Sequence, residues 1–163
     1  MATSSIDKTV RVWDVENQKA AFCWTGGENN PSCLKWSPSG NLLSLNEKKG
    51  KLTVIDIRAN TEGGLSTISH PGPKAQNNCW VNENTLISIG FDKEAKRKYC
   101  VWDTRNFSEP LCREDLGSGN SVQRLYFDHE HNLLFSTGRG SMEISLWKYD
   151  TSYEKLIHNL TNF

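Results

Sequence analysis

The chain has 163 residues, 36% apolar, 10% aromatic and 23% charged, the composition of a folded globular protein and not of a disordered one. Nineteen basic and nineteen acidic residues cancel, which argues against non-specific nucleic-acid binding, because a phosphate-neutralising protein normally shows a basic excess. No run approaches the roughly 18 apolar residues of a membrane span, and the first twenty residues carry Asp7, Lys8, Arg11, Asp14 and Glu16, so neither a nucleic-acid partner nor a membrane span is expected.

Four similar phrases punctuate the chain: TVRVWDV at 9–15, LTVIDIR at 52–58, YCVWDTR at 99–105 and ISLWKYD at 144–150. Their anchors Trp13, Ile55, Trp102 and Trp147 stand 42, 47 and 45 residues apart. Self-similarity at roughly 40–45 residues with a Trp-Asp pair is the mark of four-stranded propeller blades. The expected fold is therefore all-β, a partial WD-repeat β-propeller forming a single domain over 1–163.

The first unit, about 1–27, is incomplete. Thr3-Ser4-Ser5 reads as the end of a second strand, 9–14 as a third and 19–24 as a fourth, which leaves no room for an innermost first strand. A full blade follows at 31–70, with β-type runs at 32–36, 41–46, 51–57 and 65–69 separated by Ser37-Pro38-Ser39-Gly40, Lys49-Gly50 and Glu62-Gly63-Gly64. The next blade, 75–116, has runs at 77–81, 85–89, 99–103 and 110–114, with turns at Asn82-Glu83-Asn84 and Asn106-Phe107-Ser108. The last, 120–163, has runs at 121–127, 133–137, 143–148 and 153–158 and a turn at Asp128-His129-Glu130-His131-Asn132. Neither end reads as a polar cap, although terminal repeats need capping or closure. Two expectations follow: a piece of a longer ring, or a homo-oligomer in which copies pack through exposed blade ends. A single closed four-bladed ring is disfavoured by the missing strand.

Beyond the generic repeat, Ile87-Ser88-Ile89-Gly90-Phe91-Asp92-Lys93-Glu94 and then Tyr99-Cys100-Val101-Trp102-Asp103-Thr104-Arg105-Asn106-Phe107-Ser108-Glu109-Pro110-Leu111 carry a Gly-Phe, a short charged loop, a WD-type strand and a Glu-Pro-Leu segment in that order. Further on stand Glu114-Asp115-Leu116, Tyr126-Phe127-Asp128 and Gly138-Arg139-Gly140-Ser141 before Ile144, and the terminal Ile157-His158-Asn159-Leu160-Thr161-Asn162-Phe163. In these segments the chain resembles the coronin family, most specifically over 87–147. The resemblance implies an actin-cytoskeleton regulator built on a seven-bladed propeller followed by a linker and a coiled-coil tail. It covers only the middle-to-late blades, without the N-terminal blades that hold the family's filament-binding arginine. No a/d heptads are present either. The family's actin-contacting residues therefore have no counterpart to be assigned here, and the tail's association with an actin-nucleating complex is likewise outside the match.

The resemblance also implies a hydrogen-bonded lock within blades, in which a tight-turn Asp and a strand Trp take part. The WD-type positions are Asp7, Thr9, Trp13 and Asp14 in the first unit, Asp56 in the second, Trp102 and Asp103 in the third and Trp147 in the fourth. A buried Trp needs an acceptor for its indole N–H. Ile55 replaces Trp in the second unit, which is then expected to be held by apolar packing and to be the softer blade. The run Lys93-Glu94-Ala95-Lys96-Arg97-Lys98 reads as a basic loop between strands. Lys93, Lys96, Arg97 and Lys98 form a candidate partner surface that would attract an acidic face such as a filament in a salt-dependent way. Arg139, flanked by Gly138 and Gly140, is a second candidate, in a turn that lacks the lysine and helix start of a phosphate loop.

No catalytic, cofactor or metal site is expected. His129-Glu130-His131 lies in a turn without a third ligand at metal spacing, His70 precedes Pro71-Gly72-Pro73 in a loop, and no serine sits in a G-x-S-x-G elbow. Cys23, Cys33, Cys79, Cys100 and Cys112 are odd in number and lack C-x-x-C spacing, so they read as free thiols in a reducing, cytoplasmic compartment. The expected function is a non-enzymatic protein-interaction module of an actin-filament-binding regulator of the coronin kind, with other proteins as further partners. The alternative is a generic WD-repeat scaffold in another assembly, such as a trafficking or ubiquitin-ligase adaptor.

Overall fold

A computed structural model describes residues 1–59, 63–116, 119–140, 142 and 144–162, with side chains up to residue 157. Fifteen strands form four antiparallel sheets, each connected in simple chain order. The first sheet holds β1 (Ala2–Ser4), β2 (Val10–Asp14) and β3 (Lys19–Trp24). The second holds β4 (Cys33–Trp36), β5 (Leu42–Asn46), β6 (Lys51–Asp56) and β7 (Leu65–Ile68). The third holds β8 (Asn77–Trp80), β9 (Thr85–Phe91), β10 (Arg97–Asp103) and β11 (Cys112–Asp115), and the fourth β12 (Gln123–Asp128), β13 (Leu133–Gly138), β14 (Ile144–Asp150) and β15 (Lys155–Asn162). This is the all-β arrangement of a partial WD-type propeller, with three full blades and a first unit lacking its innermost strand.

The core lies between the blades and not within any of them. Val10, Val12 and Trp24 of the first sheet meet Leu43, Leu45 and Ile55 of the second. Leu52 and Val54 on the opposite face of that second sheet meet Trp80, Leu86, Cys100 and Trp102. Ile87, Ile89, Tyr99 and Val101 then meet Leu125, Phe127, Leu134 and Tyr149 of the fourth. A middle strand covered on both faces should be buried throughout. β9 shows this, being buried at all seven positions, Thr85 and Ser88 included. β12 instead alternates, with Gln123, Leu125 and Phe127 buried and Arg124 and Tyr126 exposed. One flank of the fourth sheet is thus open, with Tyr126 68% and Ile144 51% exposed.

The sequence reading differs from the structure in several strand limits. β10 begins at Arg97, because its register with β9 extends as far as Arg97 opposite Phe91. Arg97 and Lys98 are therefore ladder residues and not part of a loop, which corrects the expectation for the basic run. β12 begins at Gln123 instead of residue 121, and β15 runs to Asn162, past residue 158. The expected turn residues Glu62 and Ser141 and the expected strand residue Glu143 lie outside the described residues.

Candidate functional site

Each blade turns between its second and third strands, which in the incomplete first unit are β1 and β2, at the same end of the molecule, where the blade-to-blade connectors also cross. All four turns place a residue in the left-handed region: Lys8 (φ 66°), Lys49 (φ 62°) followed by Gly50 (φ 75°), Ala95 (φ 60°) and Gly140 (φ 79°). An acidic residue clasps two of them. Asp7 Oδ1 accepts from the Thr9 hydroxyl at 2.7 Å and the Thr9 amide at 2.9 Å. Asp92 Oδ1 accepts from the amides of Glu94 and Lys96, both at 2.9 Å. Both carboxyls are held below the usual carboxylate range, Asp7 chiefly by the Thr9 hydroxyl and Asp92 chiefly by the Lys96 amide. Glu47 in the second sheet turns back instead, its buried carboxylate accepting from the Glu28 and Asn29 amides at 3.0 and 2.9 Å and so fixing the first connector.

These turns carry the exposed cations Lys8, Lys48, Lys49, Lys93, Lys96 and Arg139. Of the five candidate partner residues, Arg97 and Lys98 lie in β10, while Lys93, Lys96 and Arg139 are exposed in their turns. Lys96 pairs with Glu94 at 2.8 Å. Lys98, 27% exposed, pairs with Asp115 at 2.8 Å and Asp92 at 3.7 Å. Arg97 folds inward, its guanidinium against Gly119 and 3.5 Å from the Ser121 hydroxyl. Arg139 is exposed in its turn, its amide bonded to the Val122 carbonyl at 3.3 Å. Among the four cations of the run, Lys93 alone is exposed without an ion pair among the described residues.

Inside the third sheet a polar relay crosses the core. Trp102, 0% exposed, donates its indole N–H to the Ser88 hydroxyl at 2.8 Å. The same hydroxyl is 2.9 Å from His70 Nε2. His70 comes from the preceding connector and fits because residue 90 is glycine; a Cβ there would stand 2.5 Å from the imidazole. The sequence reading treated His70 as a loop residue and missed this relay. The available signal was a His 18 residues before Ser88, opposite the third-strand Trp. Loss of hydration pushes the His70 pKa down to about 4, so the ring is neutral at pH 7.

The corresponding positions elsewhere are filled differently. In the first sheet Trp13 donates to the Thr3 hydroxyl at 2.8 Å. In the second, Ile55 lies fully buried against Leu43 and Leu45. That sheet is not without polar ties: Ser44 donates to Asn78 Oδ1 at 2.7 Å, Asn78 Nδ2 bonds Asn46 Oδ1, and Trp80 donates to the Lys35 carbonyl at 3.1 Å. In the fourth, Trp147 Nε1 is buried and has no hydrogen-bond partner among the described residues. The Asp of each repeat phrase clasps the far turn. Asp14 holds Asn17, its Oδ1 accepting the amide at 3.0 Å. Asp56 and Asp103 hold Arg58 and Arg105 through both carboxylate oxygens, the shortest contacts being 2.8 and 2.7 Å.

Burial raises the thiol of Cys79 to about 12 and that of Cys100 to about 11, which keeps both protonated and unreactive. His129 Nδ1 lies 3.0 Å from the Val81 carbonyl and His131 Nδ1 2.8 Å from Asp128, so the two rings serve the far turns. Among the described residues no three His, Cys, Asp or Glu side chains group as metal ligands, and no helix is long and apolar enough to cross a membrane.

No family model matches the chain. It is 28% identical over 142 residues to Coronin-7 of Mus musculus, covering 86% of this chain and 15% of that protein. It is 27% identical over 161 residues to Coronin-2A of Homo sapiens, covering 94% of this chain and 30% of that protein. The chain thus spans less than a third of either relative. Among solved structures, the WD40 domain of Toxoplasma gondii coronin superposes with a TM-score of 0.90 at 26% identity, over 99% of this chain and 42% of that one. A chain of a mitotic checkpoint complex reaches a TM-score of 0.73 at 20% identity, over 98% of this chain and 46% of its own, a likeness of fold alone. In sequence and in blade geometry alike, this chain is similar to a segment of a coronin WD40 propeller.

Proposed function

We propose that this chain is a non-catalytic protein-interaction module of a cytoplasmic, coronin-like regulator that binds actin filaments. The observation that carries the reading is the similarity to coronins along nearly the whole chain, in sequence and in fold together. The exposed cations on the connector rim support it physically, because a lysine-bearing face accelerates encounter with an acidic surface and does so less as salt rises. Lys93, Lys96 and Arg139 are the accessible members of the candidate surface; Arg97 and Lys98 act within the fold. The open flank of the fourth sheet, with Tyr126 and Ile144, supports blade-on-blade packing against further blades or a second copy. Sedimentation at several concentrations separates those two, a clean monomer excluding the second copy.

Co-sedimentation of the chain with filamentous actin at low salt tests the reading. The chain is expected to pellet, and Lys93→Glu with Lys96→Glu is expected to reduce the pelleted fraction several-fold. Unchanged pelleting by that variant removes the rim from the account. No pelleting of the parent chain contradicts the actin reading and favours a scaffold role in another assembly.

A further inference from the structure

A groove of about 670 Å³ runs along the inner strands of the second, third and fourth sheets, lined by Lys35, Arg124 and Arg139 with Cys33, Gln76 and Asn77. No acidic side chain among the described residues lines it. Six cations, Arg11, Lys51, Arg58, Lys96, Lys98 and Arg105, stand within 4.0 Å of a carboxylate among the described residues. None of the three groove cations enters an ion pair among the described residues. The neutral amides around them are already committed to holding the sheets together. Gln76 Nε2 donates to the Lys51 carbonyl and Asn77 Nδ2 to the Gln123 carbonyl, both at 2.8 Å. The available donors are therefore one ammonium from the second sheet and two guanidinium groups from the fourth, facing each other across the inner edge of the third.

We propose that this inner groove is a binding site for a compact, multiply phosphorylated small molecule, held by Lys35, Arg124 and Arg139. Three like charges around one concavity repel each other, and a multivalent anion converts that repulsion into attraction. Two of the three are arginines, whose planar forks match phosphate oxygens two at a time. The volume falls within the roughly 300–1,000 Å³ of small-molecule sites. An acidic peptide fits the charge less well: in an extended strand only alternate side chains share a face, at roughly 3.3 Å per residue, so three carboxylates need a segment about 17 Å long. A nucleoside triphosphate lacks its usual cradle, because no helix N-terminus opens onto the groove. The groove shares only Arg139 with the candidate filament surface; Lys93 and Lys96 do not line it.

Isothermal titration of inositol hexakisphosphate into the 163-residue chain at physiological ionic strength tests the proposal. Saturable binding of one ligand per chain is expected, weakened at least tenfold by Arg124→Gln with Arg139→Gln. Both residues are exposed, and an unchanged thermal midpoint verifies the fold; Arg139→Gln alone, in its turn, serves as the milder variant and is expected to weaken binding about threefold. Lys93→Gln with Lys96→Gln removes the same charge elsewhere and should leave the affinity as it was. Absence of saturable binding overturns the proposal, as does equal weakening by the Lys93 and Lys96 control. A glutamate-rich peptide that displaces the probe at lower concentration assigns the groove to a protein segment instead. The same phosphate chemistry is presented by a phosphoinositide headgroup, and binding to vesicles carrying it without binding to the soluble probe also contradicts the assignment.

Discussion

The third and fourth sheets carry the same tryptophan at the same place in the third strand, opposite Leu86 in one and Leu134 in the other, yet the two indoles live in different surroundings. Trp102 is fully buried and joined through Ser88 to His70, whereas Trp147 is only half-buried and its N–H has no partner among the described residues. The difference begins one connector earlier. His70 precedes the third sheet, while no histidine stands between residues 116 and 122 before the fourth. A repeat phrase fixes where a blade's tryptophan goes, but the connector decides whether the indole is satisfied. The third sheet, covered on both faces, is the anchor of the molecule; the fourth is held on one face only.

The largest test of this contrast is truncation. Trp102→Ala should cost about 3–5 kcal/mol, the range for a buried large aromatic, and Trp13→Ala clearly less because Trp13 is only half-buried. Urea denaturation of the two variants measures the gap. Acidification tests the relay itself. His70 is neutral when folded, with a pKa of about 4 against 6.5 when unfolded, so the unfolded chain takes up a proton between those values that the folded chain refuses. Stability from this group is whole above about pH 6.5 and falls as the pH drops towards 4, by up to about 3 kcal/mol. His70→Gln should flatten that part of the stability–pH curve.

Smaller effects sharpen the comparison. Ser88→Ala leaves a buried indole N–H and an imidazole nitrogen without their shared partner and should cost about 1–3 kcal/mol. Trp147→Phe, which deletes an N–H without a hydrogen-bond partner among the described residues, should cost less than Trp102→Phe by about 1 kcal/mol. The smallest effect is at the rim: Lys96→Ala breaks only the exposed pair with Glu94, and the unfolding midpoint should not move measurably.

How far the sequence went can be judged from particular residues. The fifteen strands were readable because the runs around Trp13, Ile55, Trp102 and Trp147 repeat at blade length and are separated by turn residues such as Ser37-Pro38-Ser39-Gly40. The turn clasps of Asp14, Asp56 and Asp103 follow from the same phrase, since an Asp directly before a turn meets the amide two or three residues on. The relay was harder to read, because His70 looks like a loop residue beside prolines and acquires its partner only when the connector folds over Gly90. The basic run misled for a related reason. Composition alone makes Lys93, Lys96, Arg97 and Lys98 equivalent, but strand register sends Arg97 towards Ser121 and brings Lys98 against Asp115. Ile55 suggested a soft second sheet, whereas Asn46, Asn78 and Trp80 supply polar ties that no single-repeat pattern announces. The inner groove escaped notice because its three cations are 35, 124 and 139 residues into the chain and meet only when three blades are stacked.

Hydrogen exchange of the native chain, followed by mass spectrometry, tests the anchoring role of the third sheet most directly. The account predicts that amides of β9 and β10, residues 85–103, exchange slowest, and that those of β1 and β14 exchange far sooner. Exchange over 85–103 as fast as over 144–150 would contradict it.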